Sequence, residues 1–130
     1  MKPATRASRY ATIKKLGEGG YGKALLVRNK DDKHLYVMKQ VKVSNLSAKD
    51  KHAALHEATL LSAFNSPYIV KFTESFEEKG VLYIVMEYAD GGDLCQMMER
   101  RKRSKKYFTE DEVLYYFIQI SLALKYLHDR

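Results

Sequence analysis

The chain has 130 residues, of which 45% are hydrophobic and 30% are charged, and its formal net charge is +7. This composition excludes a wholly disordered chain and predicts one domain or part of a larger one. The single cysteine, Cys95, excludes an internal disulfide bond and a metal site built from several thiolates. No apolar run approaches the roughly 20 residues that a membrane span requires, so we expect a soluble protein without a membrane partner. Its expected location is the cytoplasm, with the cytoskeleton or the nucleus as alternatives.

Three β-strands are predicted first, over residues 10–16, 23–28 and 34–43, because each is rich in apolar, aromatic or β-branched residues. The turn-forming sequence NKDDK separates the second strand from the third. Short polar connections of this kind favour an antiparallel meander. The glycine-rich stretch GEGGYGKA, residues 17–24, lies between the first two strands.

A helix is predicted over residues 47–64, where apolar residues recur with helical spacing. Ser47 is a candidate N-cap for this helix, and the sequence Asn-Ser-Pro that begins at Asn65 ends it. Strand patterns return over residues 69–76 and 81–88, which are separated by a polar hairpin turn. The element order β-β-β-α-β-β, followed by helices, predicts the α+β class.

The remaining sequence predicts two helices. A short helix is expected from residue 93 to about 101, and the basic run RRKRSKK over 100–106 is interpreted as a solvated loop after it. Thr109 and Glu112 have the spacing of a capping box at the start of a final helix. That helix has one apolar stripe, made of Val113, Phe117, Ile120, Leu124 and Leu127.

The glycine-rich stretch matches three phosphate-binding motifs. A dinucleotide-binding turn requires a helix directly after the glycines, and the short strand that follows leaves no room for one. A P-loop requires the same helix, with a hydroxyl residue after the lysine, and Ala24 has no hydroxyl group. A kinase glycine loop lies between two antiparallel strands and covers phosphates with its backbone amides, which is the context found here.

Two charged residues fall on apolar faces of predicted elements. Lys39 shares a strand face with Val37 and Val41, and Glu57 lies among the apolar positions of the helix that follows. A charge on an apolar face is costly unless it is paired. We therefore expect Lys39 and Glu57 to form an ion pair between sheet and helix, with the lysine close enough to the glycine stretch to contact phosphate oxygens.

These features resemble the N-terminal lobe of a eukaryotic protein kinase. The glycines match the glycine-rich loop, residues 36–39 match the V-A-I-K strand, and Glu57 matches the glutamate of helix αC that pairs with its lysine. Residues 82–88 resemble the strand that enters the hinge, and 91–94 the start of helix αD. In detail, the sequence most resembles the NIMA-related (Nek) serine/threonine kinases.

The resemblance implies a protein kinase-like fold with a five-stranded antiparallel sheet, helix αC, and then helices αD and αE. It divides the chain into an N-terminal extension (1–9), an ATP-binding lobe with its hinge (10–88) and the start of the larger lobe (89–130). Lys39 and Glu57 would be the catalytic ion pair. The implied nucleotide-binding residues are Leu16, Gly17, Glu18, Gly19, Gly20, Tyr21, Gly22, Lys23, Ala24, Val37, Lys39, Met86, Glu87, Tyr88, Ala89 and Asp93.

Within that set the resemblance gives separate roles. Ala24 and Val37 would enclose the adenine ring, with Met86 as the gatekeeper beside it. Glu87 and Ala89 would offer backbone groups to the base, and Asp93 would reach the ribose, in a site that takes ATP with Mg²⁺. The ligands of Mg²⁺ are expected outside this chain, which has no metal site of its own.

The catalytic loop H-R-D-x-x-x-x-N and the D-F-G motif do not occur in the sequence. We therefore expect the chain alone to be inactive and to be the N-terminal part of an enzyme that phosphorylates Ser or Thr of protein substrates. The stripe of the last helix would then lie against the missing part of the larger lobe or a separate partner. The alternative is a non-catalytic kinase-like binding module, and no nucleic-acid partner is expected.

Overall fold

A computed structural model of the chain describes residues 4–20 and 22–130. The chain divides into two compact units. The first runs to Asn65 and resumes over Val70–Tyr88, and the second consists of Ser66–Ile69 and Ala89–Arg130. Among the described residues, no helix has the length and apolar character needed to cross a membrane.

The first unit is built on a five-stranded antiparallel sheet with strand order β1-β2-β3-β5-β4. This sheet confirms the predicted α+β class and the antiparallel meander. One helix, α1 (Ala48–Ala63), connects β3 to β4. The strands are β1 (Tyr10–Gly19), β2 (Gly22–Asn29), β3 (Leu35–Lys42), β4 (Phe72–Glu78) and β5 (Val81–Glu87).

The glycine-rich stretch is largely part of the sheet, which corrects the expectation of a loop after residue 16. Gly17 pairs with Ala24, and Gly19 pairs with Gly22, so β1 and β2 continue to the tip of a hairpin. Strand pairing needs only backbone groups, and glycine supplies these as well as any residue. Strand β4 begins at Phe72 rather than at residue 69, because the amide of Ile69 donates instead to the carbonyl of Ser66 in a turn.

The two faces of the sheet bury separate clusters. One contains Tyr10, Leu25, Val27, Met38, Phe76 and Val85, and the other contains Val41, Val43, Ala58, Leu82 and Ile84. Helix α1 contributes Ala58 to the second cluster, and this is the one side chain of the described helix that is buried. Ser47 accepts a hydrogen bond from the Asp50 amide, so it is the N-cap that the sequence predicts. An ion pair between Lys51 and Glu77, 3.6 Å apart, also joins α1 to β4.

The segment before β1 is attached to the opposite edge of the sheet. The Arg6 guanidinium lies 3.1 Å from a carboxylate oxygen of Glu74 and 5.0 Å from the ring centroid of Phe76. The amide of Ala7 donates to the Glu78 carboxylate at 3.1 Å. These contacts with β4 hold the described part of the predicted N-terminal extension against the first unit.

Tyr10 completes this attachment, and its titration gives a testable pH dependence. Its hydroxyl donates to Glu74 at 3.1 Å, and burial, together with that carboxylate, raises the pKa of Tyr10 from 10.0 to about 12. A raised pKa stabilises the fold fully below the unfolded-state value, and this stabilisation is lost as the pH rises through the folded-state value.

We expect Tyr10→Phe to lower the free energy of unfolding by about 1 kcal/mol at neutral pH, the usual contribution of one hydrogen bond. The difference between the two proteins should persist up to about pH 10 and shrink towards pH 12, as measured by urea denaturation across that range. If the free energies of unfolding of the two proteins differed by the same amount throughout this pH range, the role given to the hydroxyl would be contradicted.

The second unit contains helices α2 (Leu94–Ser104) and α3 (Glu110–His128). Helix α2 begins with a capping box formed by Asp93 and Gln96, which the sequence analysis did not identify. Thr109 caps α3 by accepting from the Glu112 amide at 3.2 Å, as predicted. The Glu112 carboxylate, however, binds Arg101 rather than the backbone of the cap residue, so the predicted capping box is only half formed.

The basic run 100–106 is not the solvated loop that the sequence suggested, because α2 continues to Ser104. Cations in the last turn of a helix interact favourably with its dipole, which explains why a basic sequence remains helical there. Arg101 pairs with Glu112 of α3, and its guanidinium lies 4.7 Å from the ring centroid of Phe108.

The apolar stripe of α3 is largely exposed within the described residues. The exposed fraction is 53% for Val113 and 63% for Phe117, and Ile120 and Leu124 are also exposed. Leu127 is half-buried. Most of the apolar stripe that the sequence predicts on this helix is therefore exposed in the described part of the chain.

Candidate functional site

A cavity of about 500 Å³ opens in the first unit between the β1–β2 hairpin, β3 and the first half of α1. Eight of the predicted nucleotide-binding residues line it: Gly17, Glu18, Gly19, Gly20, Gly22, Lys23, Ala24 and Lys39. Glu57, the other predicted catalytic residue, also lines the cavity. A volume of this size lies in the ordinary range for small-molecule sites.

The ion pair between Lys39 and Glu57 is present, with Nζ and Oε1 2.6 Å apart. The central strand β3 supplies Lys39, which pairs with Ala24 of β2 on one side and Ile84 of β5 on the other. Neighbours on both sides fix the backbone of the lysine, while Glu57 comes from the middle of α1. The prediction that these two residues meet between sheet and helix is confirmed in the structure.

Neither charge of this pair is buried, which corrects the expectation that an apolar environment forces the two residues to pair. The side chain of Lys39 is 39% exposed and that of Glu57 is 57% exposed. Both groups face the open cavity, so water solvates them and the pair is not forced by burial. An exposed ion pair contributes at most about 1 kcal/mol to stability. The pair therefore orients the lysine more than it stabilises the fold.

The packing of the sheet requires glycine at only one of the hairpin positions compared below. A Cβ added to Gly22 would lie 1.9 Å from the carbonyl oxygen of Gln40 on β3, so the packing of the sheet itself excludes a side chain there. A Cβ on Gly17, Gly19 or Gly20 would meet no atom of the described chain within 4 Å. The fold does not require glycine at these three positions, and their bare backbone lines the cavity.

Helix α1 contributes cavity residues that the sequence analysis did not assign to the site. They are Asp50, Ala53 and Ala54, which precede Glu57 by seven, four and three residues. This is the spacing of one helix face, so the position of Glu57 was a signal that could have identified them. Val41 and Leu46 complete the lining.

The carboxylates of the cavity already have partners. Glu18 accepts a hydrogen bond from Lys15 at 2.5 Å, which lowers the pKa of the Glu18 carboxyl group below its usual range. Asp50 accepts from the Ser47 hydroxyl at 2.9 Å, and Glu57 is held by Lys39. Across the described residues, no three His, Cys, Asp or Glu side chains are grouped so that they could hold a metal ion.

Of the predicted adenine-side residues, Ala24 lines this cavity and the others do not. Val37 pairs with Met86 across β3 and β5, and Leu16 lies in an irregularity of β1 between Lys15 and Gly17. The amide of Glu87 donates to the carbonyl of Lys71 at 2.8 Å, so that N–H group is already used. Tyr88 is half-buried at the end of the first unit.

Three other predicted site residues need separate mention. Tyr21 falls outside the described residues, so its prediction is untested. Ala89 and Asp93 belong to the second unit. One carboxylate oxygen of Asp93 accepts a hydrogen bond from the Gln96 amide at 2.8 Å and so caps α2. The other carboxylate oxygen does not accept that capping bond.

Residues 10–130 match a family model described as the protein kinase domain. The chain is 43% identical over 122 residues to the mouse protein "Serine/threonine-protein kinase Nek1". The aligned region covers 94% of the chain and 10% of that protein. The human "Serine/threonine-protein kinase Nek5" is also 43% identical, covering 94% of the chain and 17% of the relative. Mouse "Serine/threonine-protein kinase Nek3" is 42% identical, with 93% of the chain and 23% of the relative covered.

Proposed function

The chain belongs to the protein kinase domain family, and on that premise we propose that the cavity of the first unit binds the phosphate groups of ATP. The observation behind this proposal is the arrangement of one oriented lysine opposite bare glycine backbone. Lys39 is held by Glu57 at 2.6 Å, and Gly17, Gly19 and Gly20 present no side chain to the same space.

The two halves of this arrangement recognise phosphate in different ways. The Lys39 ammonium group attracts the negative charge, and Glu57 restricts the lysine to one orientation, which lowers the entropy lost on binding. Glycines allow a ligand to approach the hairpin backbone closely, so amide groups can face phosphate oxygens. Both features concern the phosphates rather than the base, so the cavity supports this part of the nucleotide site best.

The adenine side of the site is a proposal that rests on the family resemblance. Ala24 and Val37 would enclose the base, with Met86 beside it. The Glu87 carbonyl would bind the ring edge. The nucleotide-binding roles of Ala89 and Asp93, which belong to the second unit, are proposals that rest on the family resemblance alone.

Mg²⁺ is expected with ATP, but the described residues do not fit a site for it. Magnesium prefers carboxylate and water oxygens in octahedral geometry. The three carboxylates of the cavity are bonded to Lys15, Ser47 and Lys39. We therefore assign no magnesium ligand to this chain, and the binding described above depends on its cation and backbone groups alone.

The activity of the whole protein is a further proposal, since the chain spans only 10 to 23% of the relatives named above. Those relatives are described as serine/threonine-protein kinases, and we propose that the whole protein transfers the γ-phosphoryl group of ATP to Ser or Thr hydroxyl groups of protein substrates. In that reaction Lys39 would orient the phosphates of the donor. The group that accepts the hydroxyl proton is not assigned to this chain, so the chain alone is not expected to catalyse transfer.

A second candidate is a non-catalytic kinase-like module that binds a protein partner. The exposed apolar face of α3 favours it, because exposed apolar patches mark interaction surfaces. The two candidates differ in whether the Lys39–Glu57 pair matters for phosphotransfer.

Calorimetric titration of the chain with ATP and with adenosine tests the phosphate site. We expect Lys39→Met to weaken ATP binding about tenfold or more, because a hydrogen bond to a charged group contributes about 1.5–3 kcal/mol. Adenosine lacks phosphates, so its affinity should not change. Lys42→Met is the matched control, since Lys42 is an exposed lysine at the end of the same strand that does not line the cavity. Failure of the folded chain to bind ATP, or equal losses in both variants, would reject the proposed site.

A further inference from the structure

The basic residues at the end of α2 fall into two groups. Arg101 is engaged within the second unit, by its ion pair with Glu112 and its contact with the Phe108 ring. The other basic side chains of the run are exposed and form no ion pair or side-chain hydrogen bond within residues 4–20 and 22–130. We call these the α2 cation cluster, which consists of Arg100, Lys102, Arg103, Lys105 and Lys106.

The helix dipole explains the presence of basic residues at only some positions of this cluster. Cations in the last turn interact favourably with the helix dipole, which covers Lys102 and Arg103. Lys105 and Lys106 follow the last helical residue. Lys105 adopts φ 56° at the C-cap, a left-handed conformation that glycine adopts without strain and other residues do not.

The cluster also contains like charges at close spacing. Arg100 and Arg103 are three residues apart on α2, and pairs at this spacing repel each other. Glu112 is the one acidic residue of the described α3 that forms an ion pair with α2, and Arg101 is its partner. Glu99, an exposed residue of the same helix three and four positions before Lys102 and Arg103, offsets this repulsion only in part, and a bound anionic group would reduce it further.

We propose that the α2 cation cluster binds a short acidic segment of a partner protein. Four helical steps of about 1.5 Å, from Arg100 to Ser104, and two non-helical residues of at most about 3.3 Å each give the cluster a length of up to roughly 13 Å. An extended peptide advances about 3.3 Å per residue, so the cluster matches at most about four acidic residues. A nucleic-acid-binding protein that makes about 6–10 phosphate contacts requires a longer surface. The cluster lies in the second unit and contains no cavity residue, so this proposal is independent of nucleotide binding.

Fluorescence anisotropy with a fluorescein-labelled hexaglutamate peptide tests the proposal on the full chain at low salt. We expect the triple variant Lys102→Gln/Arg103→Gln/Lys106→Gln to weaken peptide binding about tenfold, since each exposed ion pair contributes a small amount. The control Lys14→Gln/Lys42→Gln/Lys49→Gln removes the same charge from exposed lysines of the first unit. It should weaken binding less than about twofold, because these three lysines do not belong to the cluster and exposed charges are screened by salt.

Lys105→Gly is a second test, because a purely structural role of Lys105 would not affect peptide binding. Glycine relieves the left-handed conformation and removes one cation, so we expect a higher melting temperature together with weaker peptide binding. Stabilisation with unchanged peptide binding would remove Lys105 from the cluster.

Three results would overturn the proposal as a whole. The wild-type chain could fail to bind the peptide at low salt, or the control triple variant could lose as much affinity as the cluster variant. The third result is tighter binding of a single-stranded oligonucleotide or of phosphatidylserine vesicles than of the peptide, lost in the same cluster variant. That result would assign the surface to nucleic acid or lipid instead.

Discussion

Replacing Lys39 with methionine is expected to slow phosphotransfer by the whole protein about 10²–10³-fold and to leave its fold intact. This is the usual effect of removing one preorganised charge that stabilises the transition state. Lys39 is the residue of the cavity whose cation is fixed by a second side chain, at 2.6 Å from Glu57. Methionine keeps an unbranched side chain of similar length, so the packing of β3 changes little.

The Lys39→Met variant should lose most of its activity with only a small loss of stability. The ion pair is half exposed, so its loss should lower the free energy of unfolding by less than about 1 kcal/mol. An activity loss of the expected size therefore cannot arise from unfolding. The measurement is the initial rate of phosphate transfer to a protein substrate, alongside urea denaturation of the same preparation. Lys42→Met serves as the control and should keep full activity.

Glu57→Gln tests whether the glutamate acts through the lysine. Glutamine can still accept a hydrogen bond from Lys39 but has no charge, so the lysine is held less firmly. We expect an activity loss smaller than that of Lys39→Met, and no additional loss when both substitutions are combined. Unchanged phosphotransfer in Lys39→Met would reject the proposed catalytic role and favour the non-catalytic module.

The sequence predicted the contact between Lys39 and Glu57 because two periodicities fix it. Alternation along β3 and helical spacing along α1 each place a charge on the face towards the other element. The same logic applied to α1 would also have identified Asp50, Ala53 and Ala54. Ala53 and Ala54 were overlooked because alanines on a helix have no distinctive chemistry of their own.

Other features depend on tertiary structure and could not be read from local sequence. The glycine stretch looks like a loop, yet Gly17 and Gly19 pair in register because the partner strand is already aligned. The basic run looks like a loop, yet Arg101 and Glu112 connect two helices. Arg6 contacts Glu74 although β1 and β4 lie at opposite edges of the sheet, and no local sequence pattern indicates that contact.

Gly22→Ala is expected to destabilise the first unit by about 3 kcal/mol, at the upper end of the usual cost of overpacking. The added methyl group would lie 1.9 Å from the Gln40 carbonyl oxygen and 3.2 Å from the Val41 Cα atom. Both contacts are with the backbone of β3, so no side chain can rotate away. The hairpin must separate from β3, which loses hydrogen bonds as well as packing.

Gly19→Ala is the matched substitution, because Gly19 pairs with Gly22 across the same hairpin and a Cβ there meets no atom within 4 Å. Its free energy of unfolding should stay within about 0.5 kcal/mol of wild type, as for most exposed substitutions. Chemical denaturation of the two variants measures the contrast, and equal stability would contradict the packing argument. If the cavity binds phosphates as proposed, Gly19→Ala should nevertheless bind ATP more weakly, because its methyl group enters the space that the ligand needs. The two glycines would then separate the requirement of the fold from the requirement of the ligand within one hairpin.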